Sequence, residues 1–141
     1  MRSAIVLGSN LIVSAFLNPH SVAAQALGIG LEHFAVACSK ETFAELIDVL
    51  ARDKFDKYLS KSARSSLLEL YAQSVQFFDT PLAVTDCKDP KDNKFLALAL
   101  VAKAKVIVSG DKKYLLIMSP YQGTEIVSLG AFVDSYVRYA A

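Results

Sequence analysis

Four short segments limit how this chain can fold: Ala4–Leu7, Phe34–Cys38, Lys105–Val108 and Glu125–Val127. Each is apolar along nearly its whole length, without the apolar–polar alternation of a strand that has one wet face. Strands that are apolar on both sides need cover on both sides, as in a parallel sheet clothed by helices. The intervening segments supply that cover. A helix starts near Asn10 and stops at Asn18-Pro19, since a residue before proline is driven out of the helical region. Ser21 to Leu31 reads as a second helix. Ser39 caps a third, whose core stripe is expected at Phe43, Leu46, Ile47 and Leu50.

Asp53 to Leu59 suggests a short helix and Ser60 to Gln76 a longer one. A further strand lies either at Val75–Phe78 or at Ala83-Val84. A strongly apolar helix runs from Pro90 to about Lys103, a short one from Asp111 to Met118, and Ser128 caps a closing helix that reaches about Tyr139. Strands alternating with helices predict an α/β fold, a three-layer α/β/α sandwich around a mostly parallel sheet. At 141 residues, the chain is expected to form a single domain over 1–141.

Composition removes several function classes. With 15 basic and 14 acidic residues the formal charge is +1, so bulk charge alone does not hold this protein on nucleic acid. Cys38 and Cys87 match no zinc spacing and are too few for a disulfide framework; free thiols in a reducing, cytoplasmic setting are expected. Met1-Arg2, the apolar stretch from Ala4 to Leu17 and Ala24-Gln25-Ala26 share the form of a secretory signal. Gly8-Ser9-Asn10 interrupts that stretch, however, and a buried strand followed by a helix accounts for it. No apolar run reaches the roughly 20 residues of a membrane span.

The chemistry gathers between Asp89 and Lys113. Asp89-Pro90-Lys91-Asp92 is a good helix start, with an N-cap acid, proline at the first position and an acid in the first turn. Asp92, however, opens a helix that is apolar nearly all round (Phe95, Leu96, Leu98, Ala99, Leu100, Val101), which sets it at the edge of a core. Asp111 follows a buried strand at its carboxyl end, where open α/β sheets place their ligands. Glu45, in the helix after the second strand, reaches the same end of the sheet. Capping and solvated-face readings compete for each acid taken singly. Together, converging carboxylates need a divalent cation, and oxygen-only ligands favour Mg²⁺ or Mn²⁺. Such an ion could activate water against a phosphodiester. Lys88, Lys91, Lys94, Lys112 and Lys113 flank the acids and could contact a nucleic-acid backbone.

Competing chemistries lack their residues. Gly28-x-Gly30 has no third glycine and follows no strand, so it is not a dinucleotide fingerprint. No phosphate-binding loop of the GxxxxGK[ST] type is present. His20 and His33 form no motif, and no cysteine-hydrolase signature surrounds Cys38.

The ordered segments Ile5-Val6-Leu7-Gly8-Ser9-Asn10-Leu11, Ser39-x-Glu41-x-x-x-Glu45-Leu46-x-x-Val49-Leu50, Asp89-Pro90-x-Asp92-Asn93-Lys94-Phe95-Leu96-x-Leu98-Ala99 and Val106-Ile107-Val108-Ser109-Gly110-Asp111 resemble the PIN-domain family. More narrowly, they resemble PIN proteins described as toxin components of toxin–antitoxin systems. The resemblance covers nearly the whole chain and is most specific in its central segment. It implies a metal-dependent ribonuclease using Mg²⁺ or Mn²⁺, with Glu45, Asp92 and Asp111 as catalytic metal ligands. Ser9, Asn10 and Asp89 would support that site, Lys94 and Lys112 would contact substrate, and RNA, an antitoxin protein and a second copy of the chain are the implied partners. The pattern departs at one position. Where the family has aspartate at the end of the first strand, this chain has Gly8, which implies a site short of one carboxylate and weaker metal binding. A PIN fold that only binds RNA or protein is the alternative expectation.

Overall fold

The computed structural model describes residues 2–81, 83–110 and 113–140. Its centre is a five-stranded, all-parallel sheet in the order β3-β2-β1-β4-β5. The strands are β1 (Ala4–Leu7), β2 (Ala35–Cys38), β3 (Gln76–Phe77), β4 (Val106–Ser109) and β5 (Glu125–Ser128). The helices are α1 (Ser9–Leu17), α2 (Val22–His33), α3 (Lys40–Leu50), α4 (Lys61–Ser74), α5 (Asn93–Ala102), α6 (Lys113–Leu116) and α7 (Leu129–Ser135). Short 3₁₀ turns occupy Asp53–Phe55, Pro90–Asp92 and Tyr136–Arg138.

Two apolar clusters lie on the two faces of this sheet, as strands apolar on both sides require. Side chains alternate along β1, so Ile5 and Leu7 enter one cluster and Val6 the other. The first cluster joins Leu11 and Ile12 of α1, Ala26 of α2, Leu46 and Leu50 of α3, and Phe132 of α7. The second joins Phe95, Leu96 and Leu98 of α5 with Leu115 of α6. Five consecutive residues of α5, from Phe95 to Ala99, are buried, in line with a helix apolar nearly all round.

Two expectations are refined. The α3 stripe is rotated by a residue: Thr42, Leu46, Val49 and Leu50 are buried, while Ile47 is 43% exposed. The cause is the capping box, in which Thr42 Oγ1 accepts the Ser39 N–H at 3.0 Å and so turns inward. Phe43 is left to pack edge-on against Phe77 of the edge strand. The ambiguous strand is Gln76–Phe77, only two residues long and exposed on both, which leaves little apolar pattern to read.

The order of the strands places a switch point between β1 and β4. From β1 the chain steps outward through β2 to β3, whereas β4 and β5 lie on the other side of β1. In open α/β sheets the crevice at the carboxyl ends of such a strand pair is where ligands bind. Among the described residues, no helix is long and apolar enough to cross a membrane.

Candidate active site at the carboxyl end of the sheet

Three chain segments meet at the switch point. The β1–α1 junction carries Gly8, Ser9 and Asn10. Helix α3 starts at this end of the sheet because it follows β2, so Glu45 lies within its first turns. Helix α5 precedes β4 and runs the opposite way, which brings its N-terminal end, with Asp92 and Lys94, to the same place.

Glu45 is the hub. Ser9 Oγ donates to Glu45 Oε2 at 2.6 Å, and Lys94 Nζ donates to Glu45 Oε1 at 3.0 Å. The ion pair joins helices from the two opposite layers across the end of the sheet, with the lysine side chain 24% and the glutamate 17% exposed. Such partial burial makes the pair stronger than a solvated surface bridge. Lys94, expected to contact substrate, therefore lies on a carboxylate of the site itself. Glu41, on the same helix, takes no part: Thr80 Oγ1 donates to its Oε1 at 2.9 Å, and this bond holds the Glu41 carboxyl below its usual range.

Asp89 and Asp92 divide the two roles that sequence left open. Asp89 caps, its Oδ1 accepting the Lys91 N–H at 3.1 Å. Asp92 is 1% exposed, and among the described residues its side chain makes no capping hydrogen bond to α5. Burying a carboxylate is costly, so a position of this kind needs a reason beyond starting a helix. Cys87 lies close by. Burial pushes its thiol up, two backbone N–H groups hold it down somewhat, and the Asp92 and Asp89 charges add to the rise. The Asn93 side chain ties this loop down by accepting the Cys87 N–H at 2.8 Å.

Asn10 is exposed and lines a groove of about 290 Å³ with Ser14, Gly110 and Ser128. Asp111 and Lys112 lie outside the described residues. Among the described residues, no three His, Cys, Asp or Glu side chains converge to hold a metal ion.

Ser109 was not singled out from sequence. It ends β4 beside Gly8, is 1% exposed, and its hydroxyl has no hydrogen-bond partner among the described residues. The only sequence signal was a hydroxyl closing an otherwise apolar strand. Removing an unpartnered buried hydroxyl relieves its desolvation cost, so Ser109→Ala is expected to stabilise the protein by about 1 kcal/mol in urea denaturation. A destabilised variant would show that the hydroxyl is bonded in solution.

Gly8 extends the β1 alternation, so a side chain there would point to the Val6 face, the one α5 covers. The PIN-domain family profile matches residues 4–113, most of the chain, in which Gly8, Glu45 and Asp92 all fall. The chain belongs to the PIN-domain family. An uncharacterized protein of Methanocaldococcus jannaschii is 28% identical over 110 residues, covering 77% of this PIN domain's chain and 70% of its own. Among solved structures, VapBC2 from Rickettsia felis, bound to a DNA fragment from their promoter, superposes with a TM-score of 0.57 at 17% identity, covering 89% of this chain and 98% of that one. PAE2754 from Pyrobaculum aerophilum gives a TM-score of 0.59 at 14% identity, over 96% and 90% of the two chains. At these identities the structural likeness speaks for the fold.

PIN-type nucleases generally use divalent metals. The described donors suit that in kind. Glu45 and Asp92 offer hard carboxylate oxygens and Ser9 a hydroxyl, the set that Mg²⁺ or Mn²⁺ takes in preference to zinc.

Proposed function

We propose that this PIN domain is a metal-dependent endoribonuclease whose site is held by Glu45, Asp92 and Asp111, with residues 1–141 forming one domain. The observation that carries the reading is Asp92, a carboxylate buried at the switch point and not used as a helix cap, with Glu45 brought to the same sheet end from the opposite layer. Glu45, Asp92 and Asp111 would hold Mg²⁺ or Mn²⁺. When bound, the ion would supply an activated water and stabilise the leaving oxygen of the phosphodiester. Ser9 keeps Glu45 in one orientation through its 2.6 Å hydrogen bond. Asn10 borders the approach to the site and Lys112 offers charge to the substrate backbone.

On this reading the domain acts in the cytoplasm as a toxin, with an antitoxin protein and a second copy of the chain as partners; the fold it shares with VapBC2 is in keeping with the toxin role. Purified protein is expected to cleave single-stranded RNA when Mn²⁺ is added and to stop when EDTA removes it. Cleavage that continues in EDTA would overturn the metal-dependent reading.

A second reading is favoured by Gly8, which offers no ligand, and by the double occupation of Glu45. On that reading the domain binds RNA or a protein without cutting. It is supported if the same preparation shows no metal-dependent cleavage yet retains RNA in a filter-binding assay.

A further inference from the structure

We propose that Lys94 is a built-in cation for this site: its ammonium holds Glu45 until a divalent ion displaces it. This rests on the metal-site reading above and adds a competitor that the reading does not contain. Both Glu45 oxygens are engaged, Oε2 by the Ser9 hydroxyl and Oε1 by the Lys94 ammonium. The two contacts differ in kind. A hydroxyl is neutral and leaves the carboxylate's charge available, whereas an ammonium at 3.0 Å neutralises it and repels a second cation.

The location of the pair argues against an incidental surface bridge. Lys94 stands two residues after buried Asp92, on the first turn of α5, and reaches across the end of the sheet to a helix of the other layer. Glu45 is only 17% exposed at the sheet end that buried Asp92 also occupies, and a carboxylate so withdrawn from water calls for a partner of opposite charge. Lys94 supplies the compensating charge from within the chain. The absence of a side chain at Gly8 strengthens its hold, because a site with fewer carboxylates attracts a divalent ion less and competes less well with a tethered ammonium. When the ion binds, the freed ammonium lies beside the site, able to pair with a phosphate of the substrate.

Lys94→Met keeps the length of the stem and removes the charge. Mn²⁺ binding, followed by the loss of the free-ion electron paramagnetic resonance signal, is expected to tighten by about tenfold in Lys94→Met and to stay near the unmodified protein's value in Lys94→Arg. A contact that merely braces the fold would instead weaken binding in Lys94→Met. If Lys94→Met binds Mn²⁺ no more tightly than the unmodified protein does, the competition is overturned while the metal site stands. If no protein in the series binds Mn²⁺, both fall.

The unmodified protein provides a measurement that needs no variant. Acetylation of the Lys94 amine, read by peptide mass spectrometry, is expected to speed up as Mg²⁺ is added, because displacement frees the amine. A rate that stays constant or drops with Mg²⁺ overturns the proposal.

Discussion

Asp92→Asn is expected to lower Mn²⁺-dependent RNA cleavage by more than about a hundredfold, beyond what loss of an outer-sphere partner costs a metal site. The amide keeps the shape of the carboxylate, so the space it fills at the head of α5 stays filled. The backbone of residue 92 has φ −89° and ψ −10°, which asparagine adopts readily, and its N–H still reaches the Asp89 carbonyl at 3.0 Å. What goes is the negative charge, and with it a ligand for a hard cation. The effect is therefore expected in turnover and in Mn²⁺ affinity, while the circular dichroism spectrum stays as it was. Asp89→Asn serves as the internal contrast. That side chain caps the turn at Pro90 and asparagine caps equally well, so its cleavage is expected to stay within a few-fold of the original. Equal losses in both variants would point to damage at the start of the helix rather than to removal of a ligand.

The contrast between these two acids shows what could be read before the structure. Asp89, at the N-cap, and Asp92, in the first turn, both read as acids that open a helix. Their difference lies in burial, which the apolar character of α5 foreshadowed for Asp92 alone. The parallel sheet was legible for a related reason: strands apolar on both faces leave few alternatives. Elements that depend on few residues or on local side-chain bonds were harder to read. The edge strand β3 has two exposed residues and so almost no pattern, and the α3 stripe is turned by a hydrogen bond between Ser39 and Thr42. Least legible was the role of Lys94. Its partner Glu45 is 49 residues away and in the other helical layer, so nothing in the local sequence announces the ion pair.

Gly8→Asp is the second large effect, and it runs toward gain. Nothing in the backbone at this position demands glycine, since φ −69° and ψ 150° are ordinary extended values. A Cβ built there would lie 3.4 Å from the Val108 carbonyl oxygen and 3.8 Å from Ser109 Cα, ordinary contact distances. The residue is also the N-cap of α1, where aspartate caps better than glycine, so the new side chain helps start that helix. Opposing this, a further negative charge near Glu45 and Asp92 raises repulsion in the metal-free protein. The balance predicts little change in stability without metal and a clear rise in melting temperature with Mn²⁺, because only the bound ion offsets the added charge. Mn²⁺ affinity is expected to rise about tenfold, and cleavage with it, since ligand charge governs the affinity of hard-cation sites. A folded Gly8→Asp protein with unchanged Mn²⁺ affinity would mean that the remaining acids do not form a metal site, leaving the RNA- or protein-binding reading. Tighter Mn²⁺ without faster cleavage would separate the two halves of the nuclease reading: the metal site would stand, and the deficit would lie in how the substrate is held.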